Sequence, residues 1–204
     1  MTIMAGTRIL TGRGEIAVER LREGDAVETA SGAWRPIVFL GHRRVDCARH
    51  PAPREVWPVR VRAFAFADGV PQRDLLLSPD HAVYIDDVLI PARFLINGMT
   101  IIQEATDQVA YWHVELPRQD IVFAEGLPCD SSPDEHGRAP FENGGKVVQL
   151  HPRFAADTAV EAVFARAPPA SEAVLAIRRY LVDRSRGMAI GQGPGTARGS
   201  LVPG

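Results

Sequence analysis

The chain has 204 residues, 46% hydrophobic and 24% charged, a composition ordinary for folded globular proteins and incompatible with general disorder. Its 23 Lys and Arg against 25 Asp and Glu leave a net charge of −2, which argues against a global electrostatic grip on nucleic acid. Cys47 and Cys129 are the only cysteines, so no disulfide framework is available, and no apolar run reaches the roughly 18 residues of a membrane span.

Eighteen glycines and 16 prolines punctuate short apolar runs throughout, the pattern of many short strands rather than long helices. Thr7-Arg8-Ile9-Leu10 reads as a strand, turned by Gly12-Arg13-Gly14 into Glu15-Ile16-Ala17-Val18. Gly24-Asp25 marks the next turn, before Ala26-Val27-Glu28-Thr29, and Ser31-Gly32 suits a tight hairpin into one strand over Trp34 to Leu40. Val56 to Val61 carries closely spaced β-branched residues. The Pro79-Asp80 turn precedes His81 to Ile85, and Asp86-Asp87 separates that run from Val88 to Ile90. Asn97-Gly98 is the strongest hairpin signal, leading into Thr100 to Ile102. Val109 to Leu116 alternates in part, and Ile121 to Phe123 follows.

After Gly126 the pattern changes. Residues 128 to 145 are rich in proline, glycine and acidic side chains and read as a long loop. Phe154, Val160, Val163 and Phe164 fit one helical face. Ser171 is an N-cap for a second helix, with Val174, Ile177 and Leu181 at helical spacing. Residues 191 to 204 are expected to be disordered.

Three blocks in order carry a family resemblance. Ala5-Gly6-Thr7-Arg8-Ile9 with Gly14 to Val27 resembles the opening block of Hint domains, the self-processing domains shared by hedgehog proteins and inteins. Leu77-Ser78-Pro79-Asp80-His81-Ala82-Val83-Tyr84 resembles the block that carries a Thr-x-x-His motif, with Ser in place of Thr. Tyr111 to Leu116 through Phe123 to Leu127 is similar to the last strand pair of the bacterial Hint type. The resemblance implies a mainly β fold, a horseshoe of short curved strands with a small helical C-terminal extension. It divides the chain into a Hint domain over 1–145, a helical extension over 146–190 and a tail over 191–204.

The chemistry so implied is an acyl shift. A first-position cysteine attacks the carbonyl before it, a histidine protonates the departing amide nitrogen, and a second nucleophile takes the acyl group. Here Thr2 stands four residues before Gly6, in the place of that cysteine. A hydroxyl is less acidic and more crowded than a thiol, so the product would be an oxygen ester and the activity impaired. At most, then, the chain is an autocatalytic peptide-bond-cleaving domain. The His-Asn ending of splicing inteins is absent, so splicing is not expected, and Gln119 stands where the last block often has histidine.

Each candidate has two readings. Thr2 is either the nucleophile or a start-site residue, His81 either the proton donor or a hydrogen-bonded core imidazole. Ser78 either orients the scissile carbonyl or caps the Pro79 turn. Asp46 is either an assisting aspartate or a solvated carboxylate beside Arg43 and Arg44. Cys129 is either a second nucleophile or a surface thiol, and His113 reads as an ordinary strand position. His42, Asp46, Cys47 and His50 fit no standard zinc spacing; no metal or cofactor is expected. The expected counterpart is an N-terminal precursor segment or a protein partner, with no nucleic acid and no membrane. The alternative function is a non-catalytic Hint-fold module that binds a protein partner through its helical tail. No signal peptide or membrane span is visible, so a cytoplasmic location is the default.

Overall fold

A computed structural model describes residues 2–131, 138, 140–144 and 166–190. It contains β1 (Thr2–Met4), β2 (Arg8–Thr11), β3 (Gly14–Ala17), β4 (Ala26–Glu28), β5 (Trp34–Pro36), β6 (Phe39–Asp46) and β7 (Val59–Val61). These are followed by β8 (Leu75–Leu77), β9 (Ala82–Ile85), β10 (Val88–Pro91), β11 (Ile101–Gln103), β12 (Gln108–Glu115), β13 (Ile121–Ala124), β14 (Leu127–Asp130) and the helix α1 (Glu172–Ile190). The strands form two curled antiparallel sheets, a half-barrel with one C-terminal helix. One sheet runs β11-β7-β8-β1-β12-β6; the other runs β10-β9-β14-β13-β2-β4-β5, with β3 on β2.

Turn chemistry accounts for much of this. Asp86 and Asp87 both have positive φ (47° and 63°) and join Ile85 to Val88 in a two-residue hairpin whose twist matches the flanking strands. Asp87 also accepts a 2.8 Å hydrogen bond from the Tyr84 hydroxyl. Glu125 and Gly126 (50° and 78°) do the same between β13 and β14.

Three expectations need correction. Pro128 to Asp130, placed in a loop, belong to strand β14. Pro128 argues against a strand when read alone, yet it is held here opposite Phe123. The single strand over Trp34 to Leu40 is two. The chain breaks after Pro36, leaves β4 and enters the other sheet as β6, with Ile37 donating to the Asp25 carbonyl and Val38 to that of Glu115. Asn97-Gly98 makes a turn but no hairpin. Its Asn97 Oδ1 accepts from the backbone of Met99, Thr100 and Ile101, and the strand it launches pairs with β7 rather than with its predecessor.

The Ser171 cap is as expected: its Oγ accepts from the Val174 N–H at 3.4 Å. Val174, Ile177 and Leu181 are buried in the same apolar cluster as Ile3, Val59, Leu77 and Ile90. The helix is therefore packed onto the sheets by its apolar face. Its other ties include Tyr180 Oη to the Phe66 carbonyl, Arg184 to Asp68 and to the Phe64 carbonyl, and Ser185 Oγ to Met99 Sδ. The helical face over Phe154 to Phe164 and the tail over 191–204 lie outside the described residues. None of the described helices is long and apolar enough to cross a membrane.

Because α1 shares the main core, Leu181→Ala is expected to destabilise the whole domain by about 2–5 kcal/mol, whereas Leu175→Ala, on the exposed face, should change stability by less than about 0.5 kcal/mol. Urea unfolding followed by tryptophan fluorescence measures both. Equal effects would mean that the helix does not share the core.

Candidate functional site

The site grows from strand β1. Only three residues long, it is central in its sheet, with β12 on one side and β8 on the other. Pairing on both edges carries Thr2 inside the protein, where it is 8% exposed. Its direct partner on β12 is His113. Its carbonyl accepts a 3.2 Å hydrogen bond from the Ser78 N–H, at the point where β8 runs into the next turn.

That turn is built from Ser78-Pro79-Asp80-His81. The His81 N–H donates to the Ser78 carbonyl at 3.0 Å and closes it. The short helical turn that begins at Ala92 locks it from outside: the Ala92 N–H donates to His81, the Arg93 N–H to Pro79, and the Arg93 side chain pairs with Asp80. The outcome is a fixed imidazole. Nδ1 of His81 accepts the Thr2 backbone N–H at 3.1 Å, so that ring nitrogen carries no proton and a neutral ring carries its proton on Nε2. Nε2 is itself buried without a hydrogen bond among the described residues.

A second imidazole meets the same residue. Nδ1 of His113 lies 3.1 Å from the Thr2 hydroxyl oxygen. Both rings are buried, at 6% and 2% exposure. Burial lowers the His81 pKa to about 3; Arg166 pushes the same way, and Asp130 opposes it. Burial also pushes His113 far below the ordinary imidazole range. One residue thus donates its backbone N–H to one neutral imidazole and shares a hydrogen bond between its hydroxyl and another. Such an arrangement can move a proton from oxygen to nitrogen across Thr2.

The structure brings Thr2, His81 and the Ser78 backbone together. Ser78 acts through its main chain, holding the Thr2 carbonyl and closing the turn. Asp46 is not brought here. Gly41 is the β6 residue paired with His113, and Asp46 lies five residues further along, opposite Gln108. At about 3.3 Å per residue this separates Asp46 from the site by about 17 Å, and its carboxylate faces Arg49. A 44-residue spacing from Thr2 fixes a place in the chain, not a place along the strand.

Cys129 is neither a surface thiol nor exposed to a substrate. It is fully buried on β14 beside Val83 and Val122, and burial raises its pKa. The group around Asp46 does not converge. His42 faces Glu142 at 3.2 Å, Cys47 Sγ meets the Val45 carbonyl and His50 Nδ1 accepts from Ala52. Among the described residues no three His, Cys, Asp or Glu side chains are grouped to hold a metal. Gln119 is buried and donates to Asp130, which also pairs with Arg166 at 3.5 Å. His113 is the site residue that sequence reasoning missed. A signal existed: it is in phase with buried Val109 and Tyr111, and an imidazole in an apolar row needs a partner.

Two imidazoles buried neutral make stability depend on pH. Below about 6.5 the unfolded chain binds protons that the folded chain refuses, so stability falls as pH drops from there toward the His81 value of about 3. The limiting slope is about 1.4 kcal/mol per pH unit for each histidine. Urea unfolding at a series of pH values is expected to show this decline, with a shallower slope for His81→Gln. Parallel slopes for the two proteins would contradict the burial of a neutral His81.

In the comparison with solved structures, the chain is similar to a bacterial intein-like domain from Clostridium thermocellum, 18% identical, with 63% of this chain and 96% of that one covered and a TM-score of 0.47. It is also similar to the Msm DnaB1 intein splicing domain, solved bound with zinc (13% identical, 62% and 98% covered, TM-score 0.46). A third is the MchDnaB-1 intein (14% identical, 62% and 98% covered, TM-score 0.44). A search of curated proteins returns no match. The family model described as Hint domain matches residues 1–136. With that stretch spanning two-thirds of its 204 residues, the chain belongs to the Hint domain family.

Proposed function

We propose that this Hint domain is of the self-processing type, with Thr2 as a hydroxyl nucleophile, and that the hydroxyl makes it slow. The observation that carries the reading is the double contact of Thr2: its backbone nitrogen on His81 and its hydroxyl on His113, each at 3.1 Å. In an N-to-O acyl shift, Oγ1 of Thr2 attacks the carbonyl carbon of the residue ahead of it. A C–O bond forms, the C–N bond breaks, and one proton passes from oxygen to nitrogen, leaving an ester and a free amine. His113 stands where the hydroxyl proton departs, and His81 stands where the leaving nitrogen needs one.

The burial that holds these rings in place also shapes their chemistry. A His81 imidazole whose pKa lies near 3 is a strong acid once protonated, but the protonated form is scarce near neutral pH. A proton delivered from the Thr2 hydroxyl removes that scarcity, because donor and acceptor sit on one residue. The weak step is the attack itself: an alcohol is far less acidic than a thiol, and the threonine methyl crowds it. The competing reading, a non-catalytic module, draws its support from that same replacement of a thiol by a hydroxyl. A partner-binding role for the helix must use a surface other than Val174, Ile177 and Leu181, which are already buried.

The test is a fusion with an inert soluble domain placed directly ahead of Thr2. With Thr2→Cys and a small added thiol, cleavage between the inert domain and residue 2 is expected, located by intact mass, with slower cleavage for the native threonine. His81→Ala or His113→Ala in the cysteine version should slow cleavage about 10²–10⁴-fold. Correctly folded fusions that stay intact in both the Thr2 and Cys versions would leave the non-catalytic module as the reading.

A further inference from the structure

Thr2, His113 and Gly41 are direct partners across β1, β12 and β6, which puts the three on one face of the sheet. The third place in this row has no side chain of its own. It is filled from elsewhere in the chain by Phe141, which is 4% exposed. A Cβ at Gly41 would lie 2.7 Å from Cγ of Phe141 and 2.7 Å from Cε1 of Phe39, so the glycine is what admits the ring. Phe141 then packs against His113 with ring centroids 5.1 Å apart and planes at 35°, and edge-on against Phe39 at 5.7 Å.

The segment that carries Phe141 is tied down along β6. The Glu142 N–H donates to the His42 carbonyl at 2.8 Å, and the His42 and Arg44 N–H groups donate to Asn143 Oδ1 and Glu142 Oε1. Asn143 Nδ2 returns a bond to the Leu40 carbonyl at 2.8 Å. These contacts satisfy part of the outer edge of β6, the last strand of its sheet. Arg138, one turn earlier, pairs with Glu115 and lies over the Phe39 ring. The segment is therefore built onto the strand, and it lies beyond residue 136, where the family match ends.

We propose that Phe141 is a positioning residue: seated over Gly41, its ring holds the His113 imidazole on the Thr2 hydroxyl, and residues 140–144 are part of the working site. The proposal rests on the self-processing reading above. An imidazole turns freely about its last side-chain bond unless its faces are packed. With Thr2 at its Nδ1 and Phe141 against its ring, His113 is held in one orientation. Among the described residues, the charged or titratable groups facing it are His81, Arg43 and Arg138.

The test uses the full chain, with the Thr2→Cys fusion for rates and the unfused chain for nitrogen-15 spectra of the histidine rings. Phe141→Ala, Phe141→Leu and Gly41→Ala are compared with the parent. The expected result is a cleavage rate lower by about 10- to 100-fold in Phe141→Ala and Gly41→Ala, with the far-ultraviolet circular dichroism of the folded parent kept at the assay temperature, and a smaller loss in Phe141→Leu. In the unfused chain the His113 ring should exchange between tautomers and begin to titrate closer to an ordinary imidazole, while His81 stays as it was. A folded Phe141→Ala chain with parental rate and parental His113 signals would overturn the proposal. Where Phe141→Ala does not fold, Phe141→Leu and Gly41→Ala are read by the same criteria. If the parent fusion does not cleave, the self-processing reading fails, and the His113 signals alone decide whether Phe141 positions that ring.

Discussion

Everything at the site depends on the pairing of β1 on both of its edges. A three-residue strand at the start of a domain would ordinarily fray, but β12 and β8 flank this one, and the sheet continues beyond each. That placement takes Thr2 out of solvent, sets its hydroxyl beside His113 on β12, and sets its nitrogen beside the His81 that follows β8. Ile3 between them is fully buried and opposes both Trp112 and Leu77, so the apolar core fixes the register that the polar site uses. A slip of one residue would turn Thr2 to the opposite face and lose the His113 contact.

The two imidazoles carry a cost that the fold has to bear. Each is buried neutral and resists protonation, so the site opposes stability in mild acid and leaves His81 Nε2 without a hydrogen bond among the described residues. A core row of valines would have folded more easily. What the histidines supply is a neutral acceptor for the Thr2 N–H and a second neutral imidazole on its hydroxyl, in surroundings dry enough that their hydrogen bonds to Thr2 do not compete with water. The Ser78 to His81 turn, locked by Ala92 and Arg93, and the Phe141 segment along β6 hold the two rings from opposite sides.

Local chemistry was legible in the sequence; long-range placement was not. The Asp86-Asp87 hairpin, the Gly24-Asp25 turn and the Ser171 cap depend on neighbours in the chain, and each is where the sequence puts it. Thr2 and His81 were legible through the order of three short blocks. Asp46 was misleading because spacing in the chain says nothing about which end of an eight-residue strand faces the site. Strand β14 was hidden by Pro128, and the break after Pro36 by an apolar run that continues across it into a second sheet. His113 and Phe141 depend on the register of three strands and on a glycine that leaves room for a ring about a hundred residues away in the chain. The alternation along β12 shows that His113 is buried but not what it meets, and no local pattern encodes the seat of Phe141.

The central claim is that a neutral His81 accepts the Thr2 backbone N–H through Nδ1. The measurement that tests it most directly is the nitrogen–nitrogen coupling across that hydrogen bond, in nitrogen-15-labelled protein that keeps a peptide bond ahead of Thr2, together with the His81 ring tautomer near neutral pH. The account predicts a resolved coupling from the Thr2 amide nitrogen to Nδ1, with the ring proton on Nε2. A proton on Nδ1, or a charged ring with no coupling to Thr2, would contradict it.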